Sequence, residues 1–203
     1  MRSVVSNLVL SLDFLDVMAW DVALSAILLA VGSLTLTYDT KERRVEEKSR
    51  AIRIGFAIAA GAAGFYLFLA GAVISFIWPF AISGGVYNVL FGGIATLGGL
   101  VLLAGSITLA MNVDFRPVTY FAAVVGIYAL VDAYAMIIYE LTNAPLLSAL
   151  GYLSFAAPAL LSVPSAHFGS KRWRIVFTVF AFLFAAAWMY EAASFSIAHL
   201  KPP

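Results

Sequence analysis

One charged stretch in an otherwise apolar chain orients the whole sequence. The run Asp39–Arg53 holds six of the twelve Lys and Arg residues and is flanked on both sides by long apolar segments. A bilayer core accepts about 20 apolar residues per helix and resists Lys and Arg, so this run is expected to lie in water, as a loop between two membrane spans. Because short loops rich in Lys and Arg stay in the cytoplasm, the run also predicts which way the protein faces.

The composition is typical of a membrane protein. Of the 203 residues, 63% are hydrophobic and 11% are charged, whereas soluble domains are about 45 to 50% apolar. The net charge of +1 and the lack of a basic stripe argue against nucleic acid as a partner. The absence of Cys excludes disulfides, thiolate metal sites and iron–sulfur clusters. The acidic N-terminus is unlike a cleavable signal peptide, so we expect it to remain uncleaved.

Apolar runs bounded by polar or turn residues predict an all-α fold, a polytopic bundle of six transmembrane helices. The whole chain, 1–203, is interpreted as a single integral membrane domain. The predicted spans lie near 17–37, 54–78, 89–113, 118–139, 146–166 and 175–198.

The connections between these spans alternate in charge. Ten of the twelve basic residues fall in or beside 39–53, 114–117 and 167–174, and only Arg2 and Lys201 lie on the other side. The positive-inside rule then predicts cytoplasmic loops at 39–53 and 167–174 and two extracytoplasmic termini. We therefore expect a multi-pass protein of the cell membrane, with the lipid bilayer as its first partner and a homo-oligomer or a larger membrane complex as a possible assembly.

Small residues recur along the second and third spans. In lipid, helices associate through close backbone approach, so rows of small residues are expected where helices pack face to face. The residues concerned are Gly55, Ala57, Gly61 and Gly64 in the second span, and Gly92, Gly93, Gly98, Gly99 and Gly105 in the third.

Three acids, Asp21, Asp132 and Glu191, fall within predicted spans, all in the outer half. An acid at membrane depth costs about 2.5 to 3.5 kcal/mol, so it usually faces the bundle interior and finds a partner. No Lys or Arg lies at that depth, which leaves a proton, a bound cation or neutral hydrogen-bond donors. Tyr128 and Tyr139 lie on the same predicted helical face as Asp132 and are candidate donors.

Further polar residues collect at the predicted outer rim. Carboxylates with imidazole and carbonyl oxygens suit divalent cations, whereas carboxylates with Tyr suit a proton relay. Each rim residue could equally be a solvated interfacial group. The rim candidates are Asp13, Asp16, Tyr87, Asn88, Glu140 and His199.

The two histidines and the known catalytic motifs limit cofactors and chemistry. His167 and His199 fall at opposite ends of the predicted bundle, which argues against a haem held by two histidines. Nucleophile motifs, glycine-rich phosphate loops and metallohydrolase patterns are absent. The sequence therefore favours a protein that is not an enzyme, and leaves cofactors and any metal undetermined.

Several short motifs resemble a known family. They are Trp78-Pro79, Gly85-Val86-Tyr87-Asn88 with Phe91-Gly92, Pro145-Leu146-Leu147-Ser148 with Leu150-Gly151, and the closing His199-Leu200. The chain resembles, from the second span onward, a largely archaeal family of uncharacterised membrane proteins grouped as a domain of unknown function. The resemblance implies a compact polytopic fold and directs attention to Tyr87, Asn88 and His199, without implying an activity.

Three functional hypotheses follow from these patterns. In the first, an outward-facing acidic pocket built from Asp21, Asp132 and Glu191 binds or relays a small cation or proton, as in a transporter or channel. In the second, the protein is a non-catalytic subunit or assembly factor of a larger membrane complex, and its acids are neutral or hydrogen-bonded at helix contacts. In the third, carboxylates and His199 hold a metal at the outer face of a membrane enzyme.

Overall fold

A computed structural model describes residues 2–35, 43–79, 85–168 and 170–199, with the backbone alone for 2–14, 43–49, 198 and 199. These residues form six α-helices and one π-helix, which confirms the predicted all-α fold. Each α-helix contains, alone or together with the π-helix, a segment long and apolar enough to cross a membrane. The helices are α1 (Arg2–Thr35), α2 (Arg43–Ile77), the π-helix (Asn88–Gly93), α3 (Ile94–Met111), α4 (Arg116–Ile138), α5 (Pro145–Phe168) and α6 (Lys171–His199).

The six α-helices form a closed ring. Each helix packs against the next one along the chain, and α6 returns to pack against α1. A hydrogen bond of 3.0 Å from Trp20 Nε1 to Ser196 Oγ and one of 2.8 Å between the hydroxyls of Ser33 and Thr178 join α1 to α6 near their two ends. The pairing of low with high residue numbers makes these two helices antiparallel.

The two ends of this ring differ in charge. One end, here called the basic end, carries Arg53, Arg116 and Arg174. The opposite end, where α1 begins and α6 ends, is called the terminal end. At the basic end, Arg53 Nη1 donates to Asn112 Oδ1 at 2.9 Å, which ties the start of α2 to the end of α3.

The charged run that we predicted to be a loop is largely helical. Within 39–53, α2 begins at Arg43, and residues 39–42 lie outside the described part of the chain. Likewise, α6 begins at Lys171, inside the predicted loop 167–174. Arg, Lys and Glu are good helix formers, so a membrane helix can continue past the apolar segment into water. Hydropathy predicts where a helix enters the bilayer, not where the helix begins.

The contact between α2 and α3 depends on small residues, as predicted. A methyl group added at Gly64 would lie 2.7 Å from Leu102 Cβ, and one added at Gly71 would lie 2.7 Å from Thr96 Oγ1. Contacts this short leave no room for a side chain, so the two backbones approach closely along most of their length.

The segment with the Trp78-Pro79 motif is a structural joint. Gly85 has a φ of +81°, which favours glycine, and any Cβ at this position would collide with the indole of Trp78. Three residues further on, the fully buried Asn88 donates from Nδ2 to Gly85 O at 3.2 Å and begins the π-helix. These contacts set the position from which α3 enters the bundle.

Large apolar side chains cover the outside of the ring. Ile58, Phe76 and Leu146 are among those that are more than half exposed on the isolated chain. Since contiguous exposed apolar surface is rare on soluble monomers, this surface indicates contact with a lipid bilayer.

Candidate functional site

The main feature of the bundle interior is a central cavity of about 540 Å³. All six α-helices contribute to its lining, and the lining residues of α1 extend from Leu15 to Ser33. At 1.5 Å per residue this distance is about 27 Å, close to the roughly 30 Å thickness of a bilayer's hydrocarbon core. The cavity is therefore much longer than it is wide.

Small residues at inward-facing positions create this space. Gly98 and Ala95 of α3, Ala60 of α2 and Ala122 of α4 all line the cavity. A methyl group added at Gly98 would meet no heavy atom within 4 Å, although the neighbouring Gly99 is packed tightly against α2. Adjacent glycines of one helix thus have opposite roles: Gly99 permits helix contact and Gly98 faces open space.

The terminal half of the cavity is lined by apolar and aromatic side chains. This region is lined by Leu15, Met18 and Val22 of α1 and by Trp188 and Phe195 of α6. Nearer the middle, the edge of the Phe184 ring approaches Phe155 of α5, with ring centroids 5.5 Å apart. This half offers a molecule dispersion contacts and almost no hydrogen bonds.

Hydroxyl groups line the basic half, and most of them are already bonded within the protein. Ser33 and Thr178 bond each other, Ser106 Oγ donates to Ala57 O at 2.6 Å, and Thr119 Oγ1 donates to Arg116 O at 2.7 Å. Ser162 Oγ donates to Ala159 O at 2.6 Å. These groups make the basic half more polar without leaving it short of hydrogen-bond partners.

Arg174 carries the only formal charge among the described residues that line the cavity. It lies in the first turn of α6, and its backbone N–H donates to Ser170 O at 3.3 Å. Two other arginines of the basic end differ from it, because Arg53 is hydrogen-bonded to Asn112 and Arg116 forms a 2.7 Å ion pair with Asp114. In the part of the chain that the structure describes, no acid is paired with Arg174.

Ser25, near the middle of α1, is the exception among the lining hydroxyls. It is 5% exposed, and its Oγ has no hydrogen-bond partner among the described residues. A buried hydroxyl without a partner costs about 1 to 3 kcal/mol. Ser25 is one of the lining residues, but its Oγ is buried within the cavity wall.

Asp132 lies in a separate polar cluster beside the π-helix. It is 6% exposed, and its Oδ2 has no partner among the described residues. Its nearest electrostatic neighbours are the phenols of Tyr128, one turn earlier on α4, and Tyr152 of α5. Tyr152 donates to Leu90 O at 2.7 Å, and a methyl group added at Gly93 would lie 2.6 Å from Tyr128 Oη. The cluster thus joins α4 and α5 to the π-helix.

Tyr139 differs from the predicted arrangement around Asp132. It follows the end of α4 at a non-helical φ and ψ and is 70% exposed. The helical face predicted to run from Tyr128 through Asp132 to Tyr139 therefore ends before Tyr139, and Tyr152 of α5 supplies the second phenol instead.

The other two intramembrane acids have surroundings of their own. Asp21 is partly buried on α1, its Oδ2 lacks a hydrogen-bond partner among the described residues, and Tyr66 of α2 is its electrostatic neighbour. Glu191 is partly buried on α6. None of the three acids lines the central cavity. Within the described residues, no three His, Asp or Glu side chains are grouped closely enough to hold a metal.

The structure describes the side chains of four of the six rim candidates, and their local surroundings differ. Tyr87 packs its ring against Phe91 at 5.9 Å, the neighbouring Asn88 is fully buried at the joint, and Asp16 is partly buried on α1. Glu140 is exposed in the turn after α4, with a φ of +49°. The side chains of Asp13 and His199 lie outside the described residues.

His167, which we predicted to lie in a loop, is in the last turn of α5 and makes two hydrogen bonds. Its Nδ1 is 3.0 Å from Val163 O, a group that only accepts, so Nδ1 carries a proton and donates. Its Nε2 is 2.8 Å from Tyr120 Oη of α4. The residue links α4 to α5 at the basic end.

One comparison with known proteins decides the family. The model of the family described as "Protein of unknown function (DUF981)" matches residues 9–202. The chain belongs to this family. Membership in DUF981 agrees with the resemblance seen in the sequence and assigns no activity. No curated protein and no solved structure matches the chain.

Sequence reasoning missed the residues that define the cavity of this DUF981 member. Ser25 and Gly98 are common residue types in membrane helices, and Arg174 was interpreted only as part of a basic loop. Tyr152 has Ser148 as its polar neighbour at helical spacing, and no acid or base there that would have marked it. Their shared property is that they face one space from different helices, and only a tertiary structure shows this.

Proposed function

We propose that this protein binds one elongated apolar or amphipathic molecule, such as a single-chain lipid, in its central cavity. The observation that carries the proposal is the cavity itself: about 540 Å³ at membrane depth, long, narrow and mainly apolar in its lining. Ligand pockets are typically about 300 to 1,000 Å³ and are lined by apolar groups with a few placed polar ones.

The apolar lining also favours an apolar occupant. A hydrocarbon chain in the cavity would gain dispersion contacts with the many apolar side chains that line it.

Two glycines offer a matched test of this proposal. Gly98→Leu places a side chain in the open cavity, whereas Gly55→Leu makes the same exchange on α2 at an exposed position outside the cavity. In bilayer nanodiscs, a palmitic acid or hexadecanol probe carrying a diazirine can be photoactivated, and mass spectrometry then identifies the labelled residues. We expect labelling of cavity-lining residues in the wild type and in Gly55→Leu, and its loss in Gly98→Leu. Labelling confined to lipid-facing residues in all three proteins would refute the proposal.

Proton or cation binding is a second candidate function, favoured by Asp132. This acid is buried beside two phenols and has an oxygen with no described partner. Carboxylates with phenols at membrane depth are typical of proton relays. In this form the hypothesis rests on Asp132 with Tyr128 and Tyr152, rather than on a pocket shared with Asp21 and Glu191.

Proteoliposomes loaded with a pH-sensitive dye test the second candidate. An imposed membrane potential should drive acidification with the wild type, and Asp132→Asn should abolish it. Asp114→Asn is the control, because Asp114 is exposed in a connection at the basic end. Equal fluxes in the wild type and Asp132→Asn would eliminate a relay through Asp132.

The two remaining hypotheses draw less support from the geometry. A metal-dependent enzyme would need ligands beyond the described side chains, His199 and Asp13 among them. A subunit of a larger complex would use the exposed apolar exterior, a surface that lipid contact already explains.

A further inference from the structure

We infer that the molecule bound in the central cavity has an anionic head, a carboxylate or a phosphate, which Arg174 holds at the basic end. The inference rests on the proposed function and specifies its ligand class. It starts from the uneven distribution of polar groups along the cavity.

The polarity of the lining increases from the terminal end to the basic end. Leu15, Met18 and Phe195 close the terminal end with apolar groups, whereas Ser33, Thr178 and Arg174 lie toward the basic end. An amphiphile bound along this gradient would place its chain toward the terminal end and its head at Arg174.

Among the described residues, Arg174 is the basic side chain that lines the cavity, whereas two other arginines of this end are engaged elsewhere. Asp114 holds Arg116 through both carboxylate oxygens, at 2.7 to 3.0 Å, and Asn112 accepts from Arg53. A guanidinium at the edge of an apolar space is a strong site for a carboxylate or phosphate, because its planar donors match two oxygens at once.

The position of Arg174 within α6 adds to the attraction. It is the fourth residue of α6, so it lies close to the positive end of the helix dipole. An anion beside Arg174 is therefore favoured by the side chain and, more weakly, by the helix end.

Arg174 is about 6 Å from Thr178 along the axis of α6, as estimated from the helix rise. A chain anchored at Arg174 would pass the Ser33–Thr178 pair and then continue among apolar lining residues toward Phe195.

Photolabelling with three probes that differ only in their heads tests the inference. Diazirine-bearing palmitic acid, hexadecanol and hexadecyl phosphate share one chain and carry a carboxylate, a neutral hydroxyl and a phosphate. In the wild type we expect the anionic probes to label the cavity at concentrations about tenfold lower than the alcohol, the factor that one charge-assisted contact provides. The more effective anion identifies the head that the site prefers.

Three substitutions separate the role of Arg174 from the general charge of α6. Arg174→Gln should remove the preference for anionic probes while hexadecanol still labels the cavity, and Arg174→Lys should restore part of it. Arg172→Gln, a matched change at a residue that does not line the cavity, should leave the preference intact.

The possible failures are distinguishable. An unchanged preference in Arg174→Gln, or equal labelling by all three probes in the wild type, would overturn the anionic head and leave the proposed cavity function standing. Absence of cavity labelling by every probe would overturn both.

Discussion

At the scale of single residues, Tyr152 connects the π-helix to α5 through one buried hydrogen bond. Its phenol donates to Leu90 O at 2.7 Å, and the side chain is 3% exposed. Tyr152→Phe keeps the ring and removes the hydroxyl, so we expect a loss of about 1 kcal/mol in the free energy of unfolding. Chemical denaturation in detergent micelles measures this loss.

Tyr139→Phe is the matched control for that substitution. Tyr139 is largely exposed, so the same change should alter the free energy of unfolding by less than about 0.5 kcal/mol. Equal effects of the two substitutions would contradict the structural role given to Tyr152.

Asp114 provides a prediction about pH outside the membrane spans. The hydrogen bonds from Arg116 lower the pKa of Asp114 below its usual 3.8. Because this pKa is lowered in the folded protein, the contact should persist at neutral pH and be lost only as the pH falls through the lowered value. A ¹³C NMR titration of the Asp114 carboxyl should show a midpoint below 3.8, returning toward that value in Arg116→Gln. A midpoint unaffected by the substitution would refute the pairing.

Residue types alone identified only part of the site. The acids at membrane depth stand out in a sequence because charges are rare there, and Asp132 is indeed buried. Its partner Tyr152 lies on another helix, and a lone Tyr in an apolar run gives no signal. Arg174 gave a clear signal as a basic residue, but its place on the cavity wall depends on how α6 is rotated.

At the scale of helices, neighbouring glycines show why a row of small residues has more than one meaning. The sequence predicts close packing for both Gly98 and Gly99. The structure places Gly99 against α2, where an added methyl would lie 2.7 Å from Gly64 O, and leaves Gly98 facing the cavity. Two residues one step apart on a helix differ by about 100° in direction, so one row can serve both purposes.

Alanine substitutions at two glycines should reproduce this difference. Gly99→Ala forces α2 and α3 apart and should reduce the free energy of unfolding by about 1 to 3 kcal/mol. Gly98→Ala adds a methyl group in open space and should be neutral, or stabilising by up to about 1 kcal/mol because alanine favours helix. Unfolding in detergent measures both, and equal destabilisation would contradict the packing described for α3.

Helix boundaries were less predictable than helix existence. All six predicted spans coincide with helices, because about 20 apolar residues between polar connections permit little else in a bilayer. The π-helix at Asn88–Gly93 was not predicted, since it depends on Asn88 and the joint at Gly85. Hydropathy also did not predict that α2 begins at Arg43, because the residues there are charged.

At the scale of the whole molecule, the ring places the connections after α1, α3 and α5 at one end and both termini at the other. The positive-inside rule then predicts a cytoplasmic basic end and extracytoplasmic termini. The chain has no Cys, so single cysteines can be introduced without a background of native thiols.

Two such cysteines test the orientation. Ser170→Cys lies between α5 and α6, and Asn143→Cys lies between α4 and α5. An impermeant maleimide applied to intact cells should label Asn143→Cys and spare Ser170→Cys, which reacts only after the cells are opened. The reverse pattern would invert the topology.

The ring of helices surrounds a long cavity. A sequence can predict six spans, but it cannot predict whether they pack solidly or around a cavity, because that depends on which small residues face inward. Here Gly98, Ala60 and Ala122 line a cavity about as long as a bilayer core is thick.

An experimental structure in lipid nanodiscs is the most direct test for an occupied cavity. We predict one elongated density along α1 from Leu15 to Ser33, passing Gly98, with its head beside Arg174. A bundle in which α3 closes onto α1 and α5 and no such density remains would contradict it.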